Sequence, residues 1–532
     1  MASVIFGRIG LSTATDHRAR VDRLGAGDAE LSSGSTIAHT TQTLRIIGRC
    51  MAMQTRTARG LPGCVLILAG VWLGLASGEV RATTLDEALA AAYAYNPRID
   101  AERARLRATD EDVARAMSGY RPQITGDADV SYQHTNTRPD TPGEGSLHPR
   151  GYGLSLTQPI FRGFQTTNAV NQAEANVRAG REILRNVEQV VLLDAVTSFM
   201  DVVRDQAIVR LRENNVKVLS EELKATQDRF AVGEVTRTDV AQSEARRAGA
   251  VSALDLARAN LKTSRAAYER TIGSTPEGLV EPALSEGKLP KSLDEAVNIG
   301  TQEHPNVVAA LYREQAARFA VDRIRGELLP QVQLEASYRD RFDSSRGIDE
   351  VETTTVTGRV SVPIYEGGEV HARVRQAKHT HISLLQEIEQ ARTEVKAQIV
   401  AAWSQFLAAK AQLESAKIQV EANLTALNGV REEERVGQRT LIEVLNAQQE
   451  YLDSQVQLVS TRRNLIVSAY ALLAAIGHLD ALGLGVASLV YDPEQHYHEV
   501  RRKWWGISIT HEDGRREVLD LWPTNRETQP TK

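Results

Sequence analysis

Apolar and polar residues alternate one by one in four short stretches of the chain, and elsewhere recur in threes and fours. In the first stretch Ile124, Gly126, Ala128, Val130 and Tyr132 share one face, against Gln123, Thr125, Asp127, Asp129 and Ser131. The second sets Tyr152, Leu154, Leu156 and Ile160 against Gly151, Gly153, Ser155 and Thr157. Val332, Leu334, Ala336 and Tyr338 follow the same rule, as do Thr354, Val356, Gly358, Val360, Val362 and Ile364. Period two with one apolar face predicts strands. Segments 136–149 and 341–350, rich in Pro, Gly, Asp and Ser, read as the loops between them. Each strand pair is preceded by a helix opening on a capping box, Thr84 with Glu87 and Ser292 with Glu295. These helices are expected to run to Tyr120 and Leu328, where Pro122 and Pro330 stop them. After each strand pair proline vanishes, between Pro159 and Pro276 and again between Pro363 and Pro493. Leu184, Val187, Val191, Ala195, Phe199, Val202, Val209 and Val216 step by threes, fours and sevens there, the spacing of a coiled-coil-like helix. Gly233 and Gly437 break the long helices, and a second helix returns from each.

The two sets of elements are copies. Thr84-Leu85-Asp86-Glu87-Ala88 recurs as Ser292-Leu293-Asp294-Glu295-Ala296, Pro97 as Pro305, and Pro122-Gln123 as Pro330-Gln331, all displaced by 208. Pro159-Ile160-Phe161 recurs as Pro363-Ile364-Tyr365, Val232-Gly233 as Val436-Gly437, and Ile272-Gly273 as Ile476-Gly477, displaced by 204. The change in displacement falls between the strands, where a loop varies in length. The expected organisation is a first repeat over residues 83–290, a second over 291–490 and a polar tail over 491–532.

Four strands of about ten residues, each with one apolar face, suit a tilted crossing of an outer membrane. Four cannot close a barrel, and open strand edges are forbidden in lipid. Three protomers contributing four each would close one, giving an α+β protomer with a β-barrel and a long α-helical tunnel. Leu154, Leu156, Val360 and Val362 would then face lipid, and Ser155, Thr157, Arg359 and Ser361 the lumen. A soluble sheet with its apolar face packed on a helix explains the alternation too.

The N-terminus bears on compartment. Leu61–Leu75 is apolar, preceded by Arg56 and Arg59 and followed by small residues, the layout of a secretory signal over 51–82. Cleavage is expected before Thr83, with Ala76-Ser77-Gly78 as the alternative. Residues 1–50 read as upstream sequence, with initiation at Met51 or Met53. Cys50 and Cys64 are the only cysteines. A thiol nucleophile, a Cys-ligated zinc or a disulfide framework is therefore excluded downstream. Lys+Arg 63 against Asp+Glu 68 gives a net charge of −5, without the basic surplus of a nucleic-acid binder.

No Ser/His/Asp arrangement or phosphate loop declares itself, so neither an enzyme nor a cofactor is expected. His379 and His381, on a helix, would point their rings apart; His496 and His498 lack a carboxylate cluster. No metal site follows. Asp127, Asp129 and Glu335 read as a solvated wall. Phe161 and Tyr365 mark either an aromatic girdle or the packing of a strand-to-helix corner. At the helix-hairpin tips, Val232-Gly233 and Val436-Gly437 read as capped turns, with Thr236 or Thr238 as an N-cap.

The duplicated Leu-Asp-Glu-Ala openings, Pro159-Ile160-Phe161-Arg162-Gly163, Pro363-Ile364-Tyr365-Glu366-Gly367-Gly368 and the two Val-Gly tips resemble the TolC-like outer-membrane channel family. So does Val436-Gly437-Gln438-Arg439-Thr440 with Glu443-Val444-Leu445-Asn446-Ala447. The tail from Tyr491 to Arg501 resembles the type I secretion branch. The resemblance implies a homotrimer in the outer membrane that extends into the periplasm. It also implies docking to a periplasmic adaptor protein and an inner-membrane ABC transporter or proton-driven pump, for protein secretion or small-molecule efflux. It makes Val232, Gly233, Val436 and Gly437 docking tips. Arg439, with Thr238 and Asp239 as partners on a neighbouring helix pair, becomes a periplasmic gate. Glu434 departs from the family tyrosine at its position. Glu443 keeps one carboxylate of an acidic constriction, and Asn446 replaces the second. The rival reading is a soluble periplasmic coiled-coil adaptor or scaffold, which has no need of two lipid-length strand hairpins.

Overall fold

The computed structural model describes residues 83–136, 145–283, 286–484, 491–510 and 516–517. The expected signal segment 51–82 and the preceding 1–50 lie outside the described residues. In the first copy the elements are α1 (Leu85–Tyr95), α2 (Pro97–Met117), β1 (Gln123–Val130), a small hairpin β2 (Gln133–Thr135) and β3 (Gly145–Leu147), β4 (Arg150–Arg162), α3 (Gln165–Ala231) and α4 (Arg237–Ile272). The second copy has α5 (Leu293–Glu303), α6 (Pro305–Arg325), β5 (Gln331–Ser345), β6 (Ile348–Ser361), α7 (Glu369–Arg435) and α8 (Leu441–Ile476). Two short helices follow, α9 (Ala481–Leu484) and α10 (Gln495–Arg501).

The opening helices are not continuous, contrary to the sequence expectation. Asn96 and His304 are extended, and the chain restarts at Pro97 and Pro305. Proline has no N–H to continue a helix but suits its first turn. The Asn96 side chain accepts from the Arg98 N–H at 3.0 Å, and His304 Nδ1 from the Asn306 N–H at 3.1 Å. Burial, and then the Arg185 charge, lower the His304 pKa to about 4, so its ring stays neutral and able to accept. The capping box is complete at Thr84 but only half formed at Ser292, because Glu295 accepts from the Lys291 N–H instead.

The sheet runs β1-β4-β5-β6, antiparallel throughout. Gln123 faces Thr157 in the first copy and Gln331 faces Ser361 in the second, the same pair displaced by 208 and 204. The expected loop 341–350 is mostly strand: pairing continues through Phe342–Glu350, and only a tight turn at Arg346-Gly347 remains. Its polar composition concealed this, although a ladder needs backbone groups rather than apolar ones. A bulge between Pro159 and Phe161 puts Phe161 opposite Val332, on the apolar face, where alternation alone had placed Ile160. Phe161 packs edge-on against Phe164, centroids 5.1 Å apart, whereas its equivalent Tyr365 is exposed.

No described element covers the apolar face, leaving Ile124 68%, Leu154 57% and Val360 64% exposed. The soluble alternative, a helix packed on that face, is therefore not what the chain forms. The opposite face is wet and charged. Arg359 donates to both Glu335 oxygens at 3.0 and 3.1 Å, and Arg341 reaches across Gly151 to Asp129 at 3.8 Å.

α3 and α7 each have 67 residues, about 100 Å of helix. α4 returns along α3 and α8 along α7; α6 and α8 also pack on α3, joining the copies. The main core draws on both copies, with Leu89, Ile99, Phe199, Tyr268, Val307, Ile399, Leu472 and Ile476. The buried Gln189 amide donates to the Gly477 carbonyl at 2.8 Å. The tail is held on copy one through Arg181–Glu494 at 2.7 Å and the imidazole–carboxylate pair His496–Asp110 at 3.0 Å.

Candidate gate at the helical tips

Both hairpin ends are built alike, down to individual hydrogen bonds. At the first, the Gly233 N–H donates to the Phe230 carbonyl and the Glu234 N–H to that of Arg229, each at 3.0 Å. At the second, the Gly437 N–H donates to Glu434 and the Gln438 N–H to Glu433, each at 2.9 Å. These are Schellman closures, and they place Gly233 and Gly437 at φ +83° and +75°, a region costly for any residue with a Cβ. Val232 and Val436 cap the helices and are exposed at the end of each turn.

The return helices open on reciprocal boxes. Thr236, not Thr238, is the N-cap of α4: its hydroxyl accepts from the Asp239 N–H at 3.3 Å, and Asp239 accepts the Thr236 N–H at 2.9 Å. Thr440 and Glu443 repeat this, the Thr440 N–H donating to Glu443 at 2.8 Å. Glu443 also takes Arg439 Nη1 at 2.8 Å, and Arg439 Nε goes to Glu433 at 2.8 Å. The Thr440 N–H, then the Arg439 guanidinium, hold the Glu443 pKa down to about 2; the Thr236 bonds lower that of Asp239. Both carboxylates stay ionised at any physiological pH.

Arg439 and Glu443 are thus together, while Thr238 lies exposed on the other hairpin and Asp239 is engaged by its own cap. Within one protomer Arg439 meets neither. Two contacts that link the hairpins were missed in the sequence. Arg229 Nη1 meets Glu434 at 3.0 Å, and Arg246 Nη2 donates to Asn446 Oδ1 at 2.5 Å. The 204 displacement carried the signal, since Arg229 stands where the second copy has Glu433, opposite charges at equivalent positions. Above these pairs, Leu219, Ala250, Leu441 and Leu445 form a small core shared by α3, α4 and α8.

The sequence pattern of outer membrane efflux proteins matches residues 88–274 and again 298–478, one match per copy. The chain belongs to the outer membrane efflux protein family. It is 39% identical over 463 residues to the outer membrane efflux protein BepC of Brucella suis biovar 1, covering 86% of this chain and 99% of that one. The outer membrane protein TolC of Escherichia coli K12 is 22% identical, over 78% of this chain and 86% of its own. The alkaline protease secretion protein AprF of Pseudomonas aeruginosa is 23% identical, over 62% and 70%. Among solved structures, the CmeC outer membrane channel of Campylobacter jejuni superposes with a TM-score of 0.68 at 16% identity, over 79% of this chain and 89% of that chain. Membership makes this an outer-membrane transport protein.

Proposed function

We propose that three copies close into a passive export duct, a twelve-stranded barrel in the outer membrane continued by a helical tunnel in the periplasm. The observation that carries the reading is the register of the open sheet. β4 and β5 join the two copies with Thr157 opposite Glu335 and Ser155 opposite Ser337. The same displacements, 204 on one side and 208 on the other, place Ser361 opposite Asp127 of the neighbouring copy and Arg359 opposite its Asp129. Both open edges are then paired, and the bare apolar face meets lipid.

The tips, Val232-Gly233 and Val436-Gly437, are the docking ends for a periplasmic adaptor, which couples the duct to an ABC transporter or proton-driven pump of the inner membrane. Arg439 with Glu443, and Thr238 and Asp239 on the adjoining hairpin, line the closed mouth; Arg229–Glu434 and Arg246–Asn446 hold the hairpins of each protomer together. The energy comes from the partner, and no catalytic step is needed. Relatives named for protease secretion favour protein cargo, and those named for efflux favour small molecules. Deleting the gene and comparing secreted proteins with drug sensitivity separates the two.

Paired cysteines test the assembly, since the chain has none beyond Cys64. Ser361→Cys with Asp127→Cys should cross-link on oxidation into dimers and trimers on denaturing gels. Ser361→Cys with Thr125→Cys, out of register, should do so far less. A chain that stays monomeric in membranes and cross-links in neither combination rules the closed barrel out.

A further inference from the structure

The end of the described tail carries apolar surface that export does not use. Trp504 and Trp505 are 68% and 90% exposed, with Ile507 exposed beside them. Arg501, Arg502 and Lys503 precede them directly. This surface is fixed at one level of the fold. Arg121 Nη1 donates to the Lys503 carbonyl at 2.8 Å, and its guanidinium stands 5.0 Å over the Trp504 ring. Arg121 lies two residues before Gln123, the first residue of β1. The tryptophans are thus tethered where strand gives way to helix, at the level where the exposed apolar face begins with Ile124, three residues after Arg121.

We propose that Trp504 and Trp505 form an interfacial anchor seated in the phospholipid headgroups on the helical side of the outer membrane. The proposal rests on the barrel reading, which sets the membrane boundary at this level. An indole has a broad apolar body and one N–H donor, and settles at the headgroup boundary rather than in water or hydrocarbon. Glu174 already engages Arg501, at 3.0 Å, while Arg502 is exposed and supplies attraction to anionic headgroups. α10 lies against α2, and its Tyr497 and Arg501 both reach Glu174 of α3. On the inner wall it would obstruct the duct, so the strap runs up the outer wall, toward lipid. Each trimer would carry three such anchors, limiting tilt and vertical slip while an adaptor pulls on the tips.

Depth-dependent quenching of tryptophan fluorescence tests this on the full chain, reconstituted in phosphatidylcholine–phosphatidylglycerol vesicles containing nitroxide lipids. A headgroup nitroxide should quench the wild type about twofold more than the Trp504→Ala/Trp505→Ala variant, and a mid-chain nitroxide should discriminate less. Arg502→Gln should reduce the headgroup quenching when phosphatidylglycerol is present. Trp504→Phe/Trp505→Phe keeps the aromatic volume and removes the signal, so the comparison survives if the alanine variant fails to assemble. Equal quenching in wild type and variant overturns the proposal, as does lipid-insensitive, blue-shifted emission that places the rings against a second copy. An environment-sensitive fluorophore on Val360→Cys provides the control. If acyl-chain nitroxides quench it while the tryptophans are untouched, the anchor falls and the barrel stands. If neither responds, the barrel reading falls as well.

Discussion

Glu188 shows how a single residue sets a condition for stability. It sits on α3, 8% exposed, among Tyr93, Arg103, Arg185 and Asp480. Burial pushes its pKa up to about 7, against the partial relief that Arg103 gives. A carboxyl that holds its proton more tightly folded than unfolded costs nothing below its ordinary pKa of 4.5. The penalty grows as pH rises toward 7 and is complete above it, on the order of 3 kcal/mol. Glu188→Gln should therefore raise thermal stability at pH 8 and leave it nearly unchanged at pH 4, measured by unfolding of the purified protein. Gly233 gives a second residue-level prediction. Nothing lies within 4 Å of a Cβ added there, so Gly233→Ala meets only the cost of φ +83°, about 1 kcal/mol. Hydrogen exchange should quicken at that tip, with no change in the core.

At the scale of elements, the strands invite a labelling test. Leu154 and Leu156 share the uncovered face, and Ser155 the wet one. Ser155→Cys should react with a membrane-impermeant thiol reagent, and Leu156→Cys should not; equal labelling removes the lipid-facing assignment. Leu154→Arg should cost about 2–4 kcal/mol of insertion stability if it lies at the midplane, seen as loss of folded protein in membranes. At the tips, Arg229→Ala with Arg246→Ala should raise single-channel conductance in planar bilayers while trimers remain intact. Unchanged conductance would reduce both to surface contacts. Most of these elements were legible in the sequence, because period two and the heptad-like run each report one apolar face. Legibility failed where side-chain polarity and backbone geometry part company. Arg341, Phe342 and Ser345 fall in a loop-like stretch yet pair as strand, and Asn96 and His304 end helices whose apolar pattern runs on. The candidate gate was half legible: Arg439, Glu443 and Thr440 are local in sequence, whereas Arg229–Glu434 spans the two copies and only their comparison exposes it.

For the whole molecule, the proposed register sets Arg359 against Asp129 of the next copy, so assembly itself should respond to charge there. Asp129→Lys should lower the fraction of trimers that survive mild denaturing electrophoresis, and unaltered survival would count against that register. The two halves of the chain are alike enough to share displacements and turns, yet the Arg229–Glu434 joint shows that they have ceased to be exchangeable. The positions equivalent to Arg229 and Glu434 are Glu433 and Phe230. A tandem of two first halves would set arginine against phenylalanine at this joint, and a tandem of two second halves would set glutamate against glutamate. The joint therefore needs one half of each kind, with the lock in one and the key in the other.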